Sequence, residues 1–242
     1  MPVSGLADPW RDKTAWVFDL DNTLYPAECD LFAQIDVRMT SFVAAHLGVD
    51  QETALKLQKQ YLVDHGTTLN GLMTVHGVSP GPFLDFVHDI DLAPVAPNAE
   101  LAAHIAALPG RKLIYTNGSR RHGERVVEKL GLSGLFEDIF DIAASEYAPK
   151  PFLASYERLI ARHGFDPKRA VFFEDTVRNL KPAADMGFTT VLVHSAKDWS
   201  HEPPETRPAA AGEAPEHVHH TTGDLTGFLG ALMNVDRAAN PR

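Results

Sequence analysis

The sequence predicts an α/β fold, in which a Rossmann-like, doubly wound parallel sheet carries a small helical domain inserted after its first strand. Three observations support this prediction. Short apolar runs at 15–18, 112–115 and 170–173 each end in polar residues, as buried parallel strands do. Helical patterns separate the later runs, which is typical of βαβ units with helices on both faces of a sheet. Between the first two runs the pattern stays helical from about 28 to 86.

The insert begins with the clearest helix of the chain. Apolar residues recur there at three- and four-residue spacing from 31 to 43, and Gly48 supplies the stop. Further helices are predicted at 53–61 and 83–90. The stretch between them is rich in glycine and is expected to be a linker, with Gly66, Gly71 and Gly77.

After Pro94 and Pro97 the alternation of strands and helices resumes. Helices are predicted at 101–108, 123–130, 152–163, 177–186 and 225–233. Strands are predicted at 112–115, 170–173, 189–193 and 217–222. The stretch 202–215 contains four prolines and is expected to be an exposed loop. We therefore predict a core domain of residues 1–26 and 97–242 and a helical domain of residues 27–96.

Composition limits the possible partners. The 242 residues carry a formal net charge of −10, which repels a polyphosphate backbone, so we expect no nucleic acid partner. No apolar run approaches the roughly 20 residues that cross a bilayer, and the first ten residues lack a signal-peptide pattern. One cysteine, Cys29, excludes an intramolecular disulfide. These features predict a cytoplasmic protein without a membrane segment, and they leave its oligomeric state open.

Polar side chains follow the predicted strands at the points where each strand ends. Ligands of open α/β sheets bind outside the carboxyl ends of the strands. The sequence therefore predicts that six residues, separated by up to about 150 positions, meet in one crevice: Asp19, Asp21, Thr116, Asn117, Glu174 and Asp175.

These residues also carry a resemblance to a known family. The string Asp-Leu-Asp-Asn-Thr at 19–23 resembles the first motif of the haloacid dehalogenase superfamily, Asp-x-Asp-x-Thr after an apolar strand. The other three motifs follow in the family's order, and the helical insert stands where that family carries a cap domain. The residues that resemble motifs two to four are Thr116-Asn117-Gly118, Lys150, and Glu174-Asp175 with Asn179.

The resemblance implies a phosphatase that works through an aspartyl-phosphate. Asp19 is the expected nucleophile, and Asp21 is the expected acid and base that protonates the leaving oxygen and then activates water. The Thr116 hydroxyl and the Asn117 backbone N–H are expected to bind phosphate oxygens. Lys150 is expected to neutralise phosphate charge and to hold Asp19, and Pro149 and Pro151 flank it.

The resemblance also implies a magnesium ion. Its expected ligands are the Asp19 carboxylate, the Asp21 backbone carbonyl and the Asp175 carboxylate, which form the oxygen-only set that Mg²⁺ prefers. Glu174 is expected to support the metal, either through its water shell or as a direct ligand. The expected partner is a small phosphorylated metabolite, because one lysine, a metal ion and backbone N–H groups bind phosphate despite the net negative charge.

The insert resembles one branch of the family more closely. Tyr25-Pro26 follows the first motif, and residues 61–72 fit a Tyr-x₄-Gly-x₄-Gly-Leu pattern similar to that of pyrimidine 5′-nucleotidases. This resemblance implies a uridine or cytidine monophosphate as substrate. Four residues of the pattern are candidates for contact with the base or sugar: Gly66, Thr67, Thr68 and Asn70.

Other interpretations remain open at this stage. A phosphatase of a sugar phosphate or of phosphoglycolate shares all four motifs, as does a phosphotransferase. A 2-haloacid dehalogenase also uses the first aspartate but needs neither Asp21 nor magnesium. Arg120 and Arg121 follow the second motif and are candidates for substrate contact or for a solvated helix start. Metal binding is not expected at three clustered histidines, His217, His219 and His220.

Overall fold

The sheet positions every other part of the molecule. In a computed structural model, which describes residues 9–200, 202–212 and 214–239, six strands form one sheet in the order β3-β2-β1-β4-β5-β6. All neighbouring strands are parallel. The strands are β1 (Ala15–Phe18), β2 (Arg111–Tyr115), β3 (Asp138–Phe140), β4 (Ala170–Glu174), β5 (Thr189–Val193) and β6 (His220–Thr222).

Nine α-helices occur within the described residues. Four follow β1 and precede the return to the sheet: α1 (Leu31–Leu47), α2 (Gln51–His65), α3 (Thr68–His76) and α4 (Pro80–Val87). Five accompany the later strands: α5 (Ala99–Ala107), α6 (Arg120–Leu130), α7 (Leu153–His163), α8 (Val177–Asp185) and α9 (Leu225–Ala239). None of the helices in this part of the chain has the length and apolar character needed to cross a membrane.

Both faces of the sheet are covered, which confirms the predicted doubly wound class. Successive side chains of a strand point to opposite faces. In β1 the side chains of Trp16 and Phe18 enter a core shared with α5, α6 and α9, whereas Ala15 and Val17 enter a second core shared with α7 and α8. All four side chains of this strand are buried, which explains why its sequence is apolar without alternation.

The strand order creates a crevice at one edge of the sheet. From β1 the chain moves outward through β2 to β3, and it then returns to the other side of β1 to build β4, β5 and β6. The order therefore reverses between β1 and β4. In open α/β sheets such a reversal leaves a crevice at the carboxyl ends of the two strands. Asp19 directly follows β1, and Glu174 ends β4.

The four helices α1 to α4 form the helical insert. Helix α1 packs against α2 and α4, and α2 packs against α3. Side-chain caps mark two of the helix starts: Asp50 accepts the Thr53 N–H at 2.8 Å, and Thr67 accepts the Asn70 N–H at 3.1 Å. The exact limits of a separate helical domain, residues 27–96, stay a prediction.

The structure differs from the sequence-based prediction in the helical insert and at β3. The expected glycine-rich linker contains α3, because Gly66 and Gly77 lie with positive φ at helix ends while Gly71 lies inside the helix. Strand β3 was not predicted, since three residues are too short to show a period.

Gly71 explains part of the pattern in the insert. A Cβ atom at this position would lie 2.4 Å from both Cβ and Cγ of Tyr61, which is far inside van der Waals contact. The absence of a side chain therefore lets α3 approach α2 closely. The spacing from Tyr61 to Gly71 therefore has a structural role in the packing of the insert.

We predict that Gly71→Ala destabilises the protein by about 1–3 kcal/mol, because the added methyl group forces the two helices apart. Thermal or urea unfolding measures the change. Gly81→Ala is the matched control, since a Cβ there meets nothing within 4 Å and alanine favours the helix. Equal stability of Gly71→Ala and wild type would contradict this account of the packing.

Candidate active site

The two aspartates of the first motif lie at the carboxyl end of β1. The Asp19 N–H donates to the Phe173 carbonyl at 2.8 Å and so extends the pairing of β1 with β4 by one residue. The Asp19 side chain is buried, and Asp21 lies in the turn that follows. Both residues line the same cavity. Because β1 ends at Phe18, the turn that follows it brings both Asp19 and Asp21 to this cavity.

The second motif forms the turn between β2 and α6. The Gly118 N–H donates to Thr116 Oγ1 at 2.9 Å, which fixes the threonine hydroxyl at the cavity wall. The Asn117 side chain holds the backbone of the third motif: its Oδ1 accepts the Lys150 N–H at 2.8 Å, and its Nδ2 donates to the Lys150 carbonyl at 3.2 Å. The sequence predicted only a backbone role for Asn117, and the structure adds this support of Lys150.

Lys150 joins the motifs. Its Nζ donates to Asp19 Oδ1 at 2.5 Å, to Glu174 Oε2 at 2.6 Å and to the Tyr115 carbonyl at 3.0 Å. These bonds use all three donors of an ammonium group. Burial opposes the charge, but the Asp19 and Glu174 carboxylates outweigh it and raise the pKa of Lys150 above its usual range. The side chain is therefore a buried ammonium group that joins two acidic residues.

Three carboxylates converge beside this lysine. Oxygen atoms of Asp19, Glu174 and Asp175 all lie within 4.8 Å of one another, and all three residues are buried. Burial and the neighbouring Glu174 raise the pKa of Asp19 to about 7, with Lys150 opposing the shift. Burial, and then Glu174 and Asp19, raise the pKa of Asp175 as well. One ammonium does not balance three carboxylates, and the raised pKa values show that the cluster favours either bound protons or further positive charge.

The cluster fits a hard divalent cation. All donors are oxygens, which is the ligand type of Mg²⁺ and Ca²⁺ sites. Asn179, which resembles part of the fourth motif, also lines the cavity, and its buried Oδ1 has no hydrogen-bond partner within the described residues. An unpaired buried oxygen is costly, and it is satisfied when a water or an ion lies beside it. The residues present therefore suit a bound metal ion with its water shell.

Asp21 is held by two residues that the sequence analysis did not assign to the site. Both His122 Nε2, at 2.7 Å, and the Tyr25 hydroxyl, at 2.6 Å, bond to Asp21 Oδ1. Burial would raise the pKa of Asp21, but His122 and Tyr25 outweigh it and lower this pKa to about 2. Among the described residues Oδ2 receives no hydrogen bond. His122 is fully buried and stacks on His88, with 4.5 Å between ring centres.

A cavity of about 200 Å³ lies between this edge of the sheet and the helical insert. Gly66, Thr67 and Thr68 line it, as the sequence suggested, whereas Asn70 does not. The Thr67 hydroxyl already accepts its capping bond, and the Thr68 hydroxyl donates to the Gln58 carbonyl at 3.3 Å. Most of the wall that the insert contributes is apolar, with Phe32, Ile35, Met39, Leu62, Leu69, Phe83, Leu84 and Val87.

Six further residues with side chains able to bind a ligand or a metal do not line this cavity. Arg120 donates to Asp138 at 2.6 Å and supports the packing of α6 on β3, and Arg121 is 79% exposed beside Asp85. Cys29 is half-buried and packs against the core. The three histidines do not converge on one point; their contacts are with Val177, Thr190 and Trp10, made by His217, His219 and His220 respectively.

We predict that Lys150→Met destabilises the protein by about 3–5 kcal/mol, because it leaves Asp19 and Glu174 buried beside each other without their shared counter-charge. Urea unfolding measures this change. Lys181→Met is the matched control: its side chain is 57% exposed and pairs with Asp185 on the surface, so its loss costs at most about 1 kcal/mol. Equal effects of the two substitutions would show that the buried bridge does not hold this part of the structure together.

The chain is similar in sequence to proteins that are named as phosphate-related enzymes or proteins. Over 218 residues the chain is 26% identical to "Phosphate metabolism protein 8" of Saccharomyces cerevisiae, a match that covers 81% of this chain and 66% of the yeast protein. It is also 26% identical over 208 residues to "Glyceraldehyde 3-phosphate phosphatase" of Methanocaldococcus jannaschii, covering 75% of this chain and 85% of the archaeal protein. Just under two thirds of the yeast relative is therefore matched.

A solved structure shares the fold. The L-2-haloacid dehalogenase of Xanthobacter autotrophicus superposes with a TM-score of 0.54 at 16% identity, covering 92% of this chain and 99% of that one. At this identity the similarity establishes the fold alone. Residues 14–187 match the family model for haloacid dehalogenase-like hydrolases, a region that includes all four motifs. The chain therefore belongs to the haloacid dehalogenase-like hydrolase family.

Proposed function

We propose that the protein is a magnesium-dependent phosphomonoesterase that acts through an aspartyl-phosphate on Asp19, with a pyrimidine nucleoside 5′-monophosphate of the cytoplasm as its substrate. The observation that carries the proposal is the Lys150 bridge between Asp19 and Glu174, beside Asp175, at the edge where β1 and β4 end. A phosphoryl group needs a nucleophile and positive charge beside its oxygens; the cluster offers the nucleophile and one ammonium, and a bound metal ion would add the remaining positive charge.

Asp19 is the nucleophile in this proposal. Its carboxylate attacks phosphorus, the bond from phosphorus to the leaving oxygen breaks, and the phosphoryl group stays on Asp19 until water removes it. Lys150 keeps the Asp19 carboxylate oriented and supplies one positive charge. The Thr116 hydroxyl accepts the Gly118 N–H, so its own proton is available to a phosphate oxygen.

A magnesium ion fits the proposed reaction. The Asp19 and Asp175 carboxylates, with the Asp21 backbone carbonyl, would hold it, and Glu174 and Asn179 would support its water shell. When bound, the ion supplies positive charge to the phosphoryl oxygens and offsets the negative charge of the carboxylates.

Asp21 is the proposed general acid and base. Both of its hydrogen bonds go to Oδ1, so Oδ2 is the oxygen that exchanges protons in this proposal. Because the lowered pKa leaves Asp21 ionised, Oδ2 takes a proton from the incoming phosphomonoester monoanion, passes it to the leaving oxygen as the P–O bond breaks, and then accepts a proton from the attacking water. His122 and Tyr25 restrict the carboxyl group to one orientation. In this proposal they position the acid without touching the substrate.

The pyrimidine substrate rests on two kinds of support. The residues around Tyr25 and at 61–72 resemble the pyrimidine 5′-nucleotidase branch. The cavity beyond Asp19 has an apolar wall that suits a flat ring. A sugar phosphate is the second candidate, because one relative bears the name of a glyceraldehyde 3-phosphate phosphatase. Phosphoryl transfer to another acceptor and dehalogenation are the remaining alternatives; dehalogenation has no use for the three-carboxylate cluster.

We predict metal-dependent phosphate release from a panel of phosphomonoesters, with UMP or CMP hydrolysed most efficiently. Asp19→Asn lowers kcat by about 10³-fold or more, because the amide does not replace the nucleophile. Asp185→Asn, at an exposed position on α8, is the matched control and keeps full activity. Preference for sugar phosphates would exclude the pyrimidine branch, and release of halide from 2-haloacids without any phosphate release would exclude the phosphatase.

We also predict that Mg²⁺ raises the melting temperature of protein first treated with a chelator, since binding to the folded state alone stabilises it by about 2.7 kcal/mol at 100 times Kd. Asp175→Asn, which removes one of the three carboxylates, abolishes this gain, whereas Asp185→Asn retains it. Differential scanning fluorimetry over a Mg²⁺ titration measures both. An undiminished gain in Asp175→Asn would place the metal elsewhere.

A further inference from the structure

The segment between β5 and β6 reaches the active-site cavity. Its ends are held at the sheet, where the Ser195 N–H donates to the Ala209 carbonyl at 3.4 Å and the Ala209 N–H donates to the Asp175 carbonyl at 2.7 Å. We refer to residues 194–200 and 202–210 as the β5–β6 segment. The sequence predicted an exposed loop at 202–215, but Thr206 and Ala209 are buried. The segment is therefore anchored in the structure at these two residues, and the bond from Ala209 ties it to one of the three clustered carboxylate residues.

Trp199 is the aromatic side chain of this segment. It is 7% exposed and lines the same cavity as Asp19. Two contacts fix its ring: the indole N–H donates to Ser195 Oγ at 3.1 Å, and the Lys197 ammonium lies 4.7 Å from the ring centre. A large aromatic surface that is already fixed binds a flat group with little loss of side-chain entropy.

Glu202 joins the segment to the helical insert. Its Oε1 accepts from Lys59 Nζ of α2 at 2.7 Å, and the same Nζ donates to Asp36 Oδ1 of α1 at 2.7 Å. Gln58 adds a further bond to Asp36 at 2.6 Å. All four residues line the cavity. This part of the wall therefore presents a charged donor between two carboxylate acceptors, next to otherwise apolar surface.

The catalytic residues and this polar wall line one cavity, so they would bind different parts of the same substrate molecule. In the proposed reaction the phosphate lies at Asp19 and Lys150, and the leaving group occupies the remaining space. The walls of that space combine the ring of Trp199 with the donor and acceptors around Lys59 and Glu202. A flat heterocycle, which has an aromatic face and both donors and acceptors on its edge, matches this combination; a three-carbon sugar offers no such face.

We propose that the β5–β6 segment is a substrate-recognition element: Trp199 packs against the ring of the leaving group, and Glu202, with Lys59 of the insert, hydrogen-bonds its polar edge. This inference rests on the proposed phosphatase function and deepens it. It assigns part of the specificity to the sheet domain, whereas the sequence analysis sought specificity in the insert alone.

The test compares a nucleotide with a small substrate. We measure kcat/KM for UMP, CMP and acetyl phosphate with wild type, Trp199→Leu and Glu202→Gln. Trp199→Leu is expected to lower the nucleotide values by about ten-fold or more, which is the usual effect of losing a base-stacking side chain. The change appears mainly in KM, and acetyl phosphate is affected less than about two-fold because its leaving group has no ring. Glu202→Gln lowers the nucleotide values in the same selective manner.

The control is Glu205→Gln, an exposed position in the same segment that does not line the cavity, and it leaves all three substrates unchanged. The melting temperature and its rise with Mg²⁺ show that each variant is folded with an intact metal site. Equal losses of kcat/KM for nucleotides and acetyl phosphate would overturn the proposal. The segment would then support the catalytic site without binding the leaving group. Unchanged nucleotide values in Trp199→Leu, or a best substrate without a ring, would also overturn it.

A binding measurement separates this proposal from the proposed function. UMP is titrated calorimetrically into Asp19→Asn and into Asp19→Asn with Trp199→Leu. A Kd about ten-fold higher in the double variant supports recognition by Trp199 even if wild type releases no phosphate, and in that case only the proposed function fails. The same Kd in both proteins, or no UMP binding in either, would overturn the recognition proposal.

Discussion

The arrangement of this molecule depends on one buried ammonium group placed among carboxylates. Lys150 contacts both Asp19 and Glu174, all three of these residues are buried, and Asp175 adds a third acid. Taking such charges out of water costs several kcal/mol per ion, and the cost is offset only where the geometry is well matched. The chain supplies that match locally, since Asn117 holds the Lys150 backbone on both sides. A buried ion pair of this kind contributes little net stability compared with apolar packing, which indicates that the cluster serves a chemical function.

The topology of the sheet brings these groups together. Residues that are far apart in sequence meet because β1 and β4 are neighbours with parallel carboxyl ends. The same edge is then enclosed from two directions: α1 to α4 contribute an apolar wall, and the β5–β6 segment contributes an aromatic and a charged one. In the proposed reaction the phosphoryl group lies at the strand ends and the rest of the substrate lies between these two structural elements, so we propose that both of them shape which substrates fit.

Much of the core site could be predicted from the sequence, and the reasons are physical. An apolar run that ends in Asp19 or in Glu174 is a local signal, and parallel strands bring such ends to one edge. The contact of His122 with Asp21 spans 101 residues, and that of Lys59 with Glu202 spans 143, so neither leaves a periodic trace in the sequence. Proline content suggested an exposed loop at 202–215 because proline marks irregular backbone whether it is buried or not.

The claim that Asp19 carries the phosphoryl group is tested most directly by trapping the intermediate. Protein mixed with Mg²⁺ and its best substrate is quenched with acid within one turnover, and the peptide that contains Asp19 is analysed by mass spectrometry. We predict that this peptide gains the mass of one phosphoryl group, that fragmentation places the gain on Asp19, and that the gain disappears as free phosphate is released. Phosphate release without any modified Asp19, or with the phosphoryl group on another residue, would contradict the account.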